Sequence, residues 1–344
     1  MKAELNSLSL VACFFIIISV GCQPDSSANL SSDKLILKGP YLGMTPPGDT
    51  PVIFAPGIVS SVYWEHSGAV FTPDGNELFW SVAINEGRNP RIIVILHMQR
   101  VDGIWTEPEL APFNTYTYNH INSISPDGKR LYYFTSSDDE PSRARMVEKT
   151  DTGWGEPRLL RLNTVDNPGT VVNEVHETRS GNIYCSGPID SIPGGRGIVR
   201  SRLEDGRYQQ YESLGSAVNM PLSVGFPNHS PTVDPDEKFV IFVSRRPGGF
   251  GEQDLYISYR QEDDTWGEAI NLGAKINSIG TGVSWPQLSP DGKYLFFTVY
   301  DQPLADFGKR QYTLKELTEI QESIMNGWGN IYWVDTSFVE KLRR

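Results

Sequence analysis

Histidine is scarce in this 344-residue chain: there are five, of which three fall at comparable places and a fourth nearby. His66 stands in Glu65-His66-Ser67, His120 follows Asn119, His229 lies between Asn228 and Ser230, and His176 ends Asn173-Glu174-Val175-His176. Trp285 occupies the comparable stretch nearer the C-terminus. Imidazoles brought to one point can bind a transition metal. Beside Glu65, Glu174 or Glu177 they can act as acid or base. They can also bind a polar ligand, or simply satisfy backbone groups where strands crowd together. The residue types leave all of these open. The candidate ligand-binding set is Glu65, His66, Asn119, His120, His176, Asn228, His229, Arg245 and Trp285. No catalytic residue is assigned, metal ligation is left open, and no cofactor is expected. The fifth histidine, His97, is expected to be structural.

Arginines form a second set: Arg88, Arg91, Arg143, Arg196, Arg245 and Arg246. Guanidinium forks match carboxylates and phosphates, so an acidic sugar or a peptide terminus would suit them. Glu86, Asp138, Asp139, Glu140, Asp190, Glu252 and Asp254 share those loops, which reads as a solvated mixed-charge rim.

The elements that must position these residues repeat. Thr72-Pro-Asp-Gly75, Ser125-Pro-Asp-Gly128, Asp234-Pro-Asp-Glu237 and Ser289-Pro-Asp-Gly292 are turn signals between apolar, β-branched flanks, with a worn copy at Thr178-Arg-Ser-Gly181. Their starts are separated by 53, 53, 56 and 55 residues, a fixed step that marks a repeat architecture. Each repeat reads as four strands. In the second these are His120–Ser125, Arg130–Ser136, Arg143–Lys149 and Arg158–Leu162. Four-stranded units repeated radially are propeller blades. The expected fold is all-β, a single β-propeller of five blades, with six as the alternative if residues 33–60 and the C-terminus build another. Trp105, Trp154 and Trp266 recur at one position and should pack between blades, whereas the degraded third repeat has Tyr208 there. The fifth repeat lacks an outer strand, and Thr50–Pro56 resembles one, so the N-terminal segment is expected to close the ring. An insertion in that repeat predicts one helix of about thirteen residues within 313–326, from its Thr313-x-x-Glu316 capping box, with Gly327 as its stop. It should stand on the same face as the histidines.

The net charge of −12 offers no basic face for nucleic acid. The apolar run Leu10–Val20 is about half the length that spans a bilayer and reads as a secretory signal. Gly21-Cys22 at its end resembles a bacterial lipobox, in which the cysteine carries lipid. The expected organisation is a signal at 1–21, a tether at 22–34 and the propeller at 35–344, with Cys22 as the lipidation site. That leaves Cys185 alone in the mature chain, where it reads as a small core residue.

Ser-Pro-Asp-Gly-Lys-x-Leu-Tyr-Phe patterns, with Asp254-Leu-Tyr256 and Asn271-Leu-Gly273, resemble PD40 or TolB-like propeller repeats over roughly residues 40–340. The resemblance implies a bacterial envelope protein that binds other molecules. The expectation is therefore a lipid-anchored, non-catalytic, monomeric propeller that binds a glycan, peptide or envelope protein at its channel mouth. The alternative is a metal-dependent lyase or hydrolase acting on an acidic polysaccharide. No Gly-x-Ser-x-Gly elbow is present, which argues against a peptidase.

Overall fold

The repeated turns close in one way. Ser125 Oγ donates to Asp127 Oδ1 (2.6 Å), the same carboxylate accepts the Lys129 N–H (3.0 Å), and the Gly128 N–H returns to the Ser125 carbonyl (2.8 Å). Thr72/Asp74 and Ser289/Asp291 repeat the pattern. Gly75, Gly128 and Gly292 sit at φ of 66°, 73° and 68°, which is why glycine ends these turns. The computed structural model describes residues 36–84, 92–137, 142–160, 162, 172–189, 195–220 and 228–343. The expected signal, tether and Cys22 lie outside the described residues. So do Glu86, Arg88, Arg91, Asp138, Asp139, Glu140 and Asp190. Leu37–Arg344 is one compact unit. Among the described residues no helix is long and apolar enough to cross a membrane.

Among the described residues the strands fall into five units of antiparallel neighbours, as in a β-propeller, the first two joined in one sheet by a single parallel pair, Ile93 with Tyr118. The first has a broken inner strand, Trp64–Glu65 with Val70–Phe71, then Glu77–Ala83, Ile93–Val101 and Glu109–Leu110. The second comprises Tyr118–Ile124, Arg130–Ser136, Arg143–Thr150 and Arg158–Leu159. The third comprises Asn173–Glu177, Ile183–Pro188, Arg196–Ser201 and Glu212–Ser213. The fourth comprises His229–Val233, Phe239–Ser244, Asp254–Tyr259 and Ile270–Asn271. The fifth comprises Gly282–Leu288, Tyr294–Tyr300 and Gly329–Asp335, and its outer strand is Val52–Ile53 from the N-terminal segment, Val52 opposite Trp333.

The core lies between units. Five hydrophobic clusters bridge successive units, and one of them joins the fifth to the first through Phe54, Phe71, Trp80, Phe296 and Trp333. Tyr41 seals that seam, 5.2 Å from both Phe71 and Tyr294, and its hydroxyl donates to Asp291 (3.0 Å). Trp154 packs on Phe79 and Trp266 on Tyr184, each in the preceding unit. Trp105 differs: its indole N–H donates to Gly39 of the N-terminal segment (2.8 Å).

Buried carboxylates tie the seams. Glu77 accepts from Trp154 and from Lys149, and meets His97 at 3.2 Å, so His97 has a structural partner. Glu177 receives Arg130 in a two-point fork and the Tyr132 hydroxyl. Glu237, where the turn rule asks for glycine, is held at φ 60°, and its carboxylate accepts from Thr178, Ser180, Asn182 and Tyr184 of the third unit.

The insertion helix is shorter than expected, Leu314–Gln321, with its capping box formed by Thr313 and Glu316. None of its residues is buried, so no packing extends it, and the Glu322 N–H and Ser323 Oγ turn back onto its last carbonyls. Gly327 takes a left-handed φ of 96°, well beyond the helix end, and does not stop it. A C-terminal helix, Ser337–Leu342, was not foreseen. Phe338, Val339 and Leu342 lie against the core between the fourth and fifth units. Cys185 is buried in its strand, where burial pushes its thiol pKa up.

Candidate functional site

The inner strands carry the candidate histidines, and three of these strands share a backbone irregularity. Counting back from each turn start, Glu174, Ser230 and Trp285 occupy one equivalent place, four residues before the turn. All three sit at left-handed φ, 55°, 50° and 54°, at bulges in their strands. A non-glycine residue there costs roughly 1–3 kcal/mol, and such strain clusters at functional sites. In the first repeat the same place is Gly68. A Cβ on it would lie 2.6 Å from the Trp285 carbonyl oxygen, so the first and fifth units approach too closely for any side chain.

Four candidates converge. The His120 ring lies 4.1 Å from Trp285 and 5.3 Å from His66, His66 lies 5.4 Å from Trp285, and His229 lies 6.2 Å from Trp285. They come from four different units. The geometry is that of packed rings: His66 and His120 meet edge to face, and His120 stacks on Phe134. His120 Nε2 and the Trp285 indole N–H are buried without a hydrogen-bond partner. Among the described residues no three His, Cys, Asp or Glu side chains are placed to hold a metal ion.

Burial sets the charges. It holds the His120 pKa down at about 4, against the pull of Glu174, and lowers that of His229. Both are neutral imidazoles at pH 7. Burial pushes the Glu174 carboxyl up. The neighbouring His229, at 3.8 Å, and hydrogen bonds from Ser186 and from the Ser230 N–H and Oγ outweigh it, so Glu174 is held below the ordinary carboxylate range. Glu65 behaves oppositely. It is fully buried, burial raises its pKa to about 8, and Ser61 supplies its hydrogen bonds.

The remaining candidates separate. Asn119 is spent on the loop before its strand, bonding Thr115, Tyr116 and Ile93. Asn228 donates to Val218, and its Oδ1 is buried without a partner. Arg245 is exposed and reaches Gln253. Arg246 lies over the rings of Phe242 and Tyr256 and bonds two backbone carbonyls, and Arg196 donates to the Ser186 carbonyl. These two serve structure rather than a rim. His176, two residues before its turn, stands apart from the ring cluster. It lines a cavity of about 110 Å³ at the turn end of the inner strands.

The insertion docks beside the histidines. Asn326 donates to the Val62 carbonyl (2.8 Å), and Trp328 stacks on Trp64 with ring centres 5.9 Å apart. Trp64 in turn meets His66 at 4.6 Å. Tyr63 is 50% exposed and Trp328 42%, which leaves aromatic surface open beside the cluster. The sequence reading missed this platform, because the aromatic residues come from an entry loop and an insertion outside the repeat.

No protein-family model matches this sequence, and no curated protein matches it. Solved structures similar to this chain include TolB from Acinetobacter baumannii, at 16% identity and TM-score 0.42, matched over 67% of this chain and 48% of that one. The match thus spans about half the length of the Acinetobacter protein. A TolB candidate from Agrobacterium tumefaciens matches at 20% identity and TM-score 0.42, over 70% of this chain and 72% of that one. A GH43 endo-arabinanase from Bacillus licheniformis matches at 15% identity and TM-score 0.46, over 79% and 96%.

Proposed function

We propose that the five units form one closed five-bladed propeller that binds a glycan, without catalysis, where its inner strands begin. The observation that carries this reading is the convergence of His66, His120, His229 and Trp285 beneath the open Trp64–Trp328 stack. Aromatic faces beside neutral hydrogen-bonding side chains suit an uncharged, hydroxyl-bearing ring better than an ion. Closure is supported by the cluster joining the last unit to the first and by the close approach at Gly68. Catalysis by a carboxyl would need one that reaches the ligand, and Glu65 and Glu174 are both enclosed. We further propose that Cys22 carries a lipid anchor in the cell envelope.

A glycan-array screen of the purified chain, paired with Trp328→Ala and Tyr63→Ala, tests the reading. Binding that both variants lose supports it. Retention of no glycan, or capture that ignores both substitutions, overturns it. Metal analysis of the same sample addresses the lyase or hydrolase alternative: stoichiometric metal lost in His229→Ala would favour that alternative.

A further inference from the structure

The turn end of the inner strands carries an independent feature. Its cavity is walled by the same positions of all five repeats. Two residues before each turn stand Val70, Ser123, His176, Thr232 and Gln287, and all five line it. One residue into each turn stand Pro73, Pro126, Arg179, Pro235 and Pro290, which form its rim. The five residues of the inner ring are each less than a tenth exposed. Ser123 Oγ donates to the Val175 carbonyl (2.6 Å) and keeps its lone pairs. The side chains of His176, Thr232 and Gln287 have no hydrogen-bond partner among the described residues. Their polar atoms face the partly open cavity and are available to bond a polar group that enters it.

We propose that this cavity is a second ligand site, one that takes a primary carboxamide on a short apolar stem, either a free amide or the side chain of glutamine. The size fits a group of a few heavy atoms. The polarity fits as well: a neutral imidazole, an amide and a hydroxyl offer both donors and acceptors, which a carboxamide complements with its own. Uncompensated charge is missing from the walls. Glu177 is engaged by Arg130 and Tyr132, and Arg179 pairs outward with Asp236. An ion entering there would lose its hydration without a counter-charge. Phe71, Ile124, Val233 and Leu288 between ring and rim supply an apolar collar for the stem. The site lies at the opposite end of the inner strands from the histidine cluster and does not depend on what that cluster binds.

The imidazole signals of the full chain, with His176 assigned by comparison with His176→Gln, report occupancy by NMR. Propionamide, N-acetylglutamine methylamide, propionate and propylammonium are titrated separately. The two amides should shift the His176 signals saturably in the millimolar range, as suits so small a ligand. The two ions should bind at least about tenfold more weakly. Tighter binding of the glutamine derivative identifies a polypeptide as the source of the amide, and tighter binding of propionamide identifies a free solute. Thr232→Val and Gln287→Leu, each leaving a folded protein by circular dichroism, should weaken amide binding about fivefold or more. Absence of a saturable shift, equal shifts from the ions, or unchanged affinity in both variants would mean that the cavity holds water only, and would overturn the proposal.

Discussion

The histidine cluster separates two residues that look equivalent in sequence. His120 is 1% exposed and wedged between Phe134 and Trp285, whereas the His229 side chain is 29% exposed. His120→Ala leaves a cavity in packed rings and should cost about 2–4 kcal/mol by chemical denaturation, confounding any binding assay. His229→Ala should cost under about 1 kcal/mol and weaken glycan binding at unchanged stability. Equal losses of stability in the two variants would contradict this assignment. Glu65 yields a pH prediction. Its folded pKa is raised to about 8, so the stability it contributes is full below its unfolded pKa and disappears as pH rises toward 8. Glu65→Gln keeps the shape without the titration. Its melting temperature should match the parent near pH 4 and exceed it at about pH 9.

At the scale of elements, the seams between units carry the stability. Glu237 accepts a left-handed backbone so that its carboxylate can gather four donors from the third unit. Burial pushes its pKa up, but the bonds from Ser180, Tyr184, Thr178 and Asn182 outweigh that and leave it lowered. Its contribution is therefore present above the unfolded pKa and is lost as pH falls through the folded one. Glu237→Gly restores the turn rule of the other repeats and relieves about 1 kcal/mol of backbone strain. It should nonetheless destabilise, because four donors lose their acceptor and two of them, on Thr178 and Tyr184, are buried, at about 1–3 kcal/mol each before relaxation. A thermal melt at neutral pH decides which effect dominates, and a gain in melting temperature would refute the seam role of Glu237.

For the whole molecule, the decisive element is the N-terminal segment, which gives the last unit its outer strand and closes the core between first and last. Phe54 is fully buried in that core, 5.0 Å from Phe296 and 5.2 Å from Trp333. Phe54→Ala should cost about 3–5 kcal/mol. A chain beginning at residue 61 exposes the edge of Gly329–Asp335 and should aggregate on expression. A soluble, cooperatively melting chain of that length would falsify the closure. Cys22→Ser should release the protein from membranes and abolish lipid labelling, and membrane association that survives the substitution would remove the anchor from the proposal.

The turn motif alone determined the repeat, its step and most strand positions. Arg130–Ser136 and Phe239–Ser244 lie where the flanks of Pro-Asp-Gly put them, because turn chemistry and strand alternation are local. The pairing of Val52–Ile53 with the last unit was legible as well, since the missing outer strand left only one sequence to fill it. The sites were legible only in part. Sequence grouped His66, His120 and His229 by their distance from a turn, five or six residues, and placed His176 nearby, only two residues before its own turn. That difference in distance puts His66, His120 and His229 at one end of the inner strands and His176 at the other. The seam role of Glu237 was not legible, because its four donors lie 53 to 59 residues away in sequence. The aromatic platform at Trp328 was invisible for the same reason. Contacts of that kind exist only once units far apart in sequence pack together, and no local pattern encodes them.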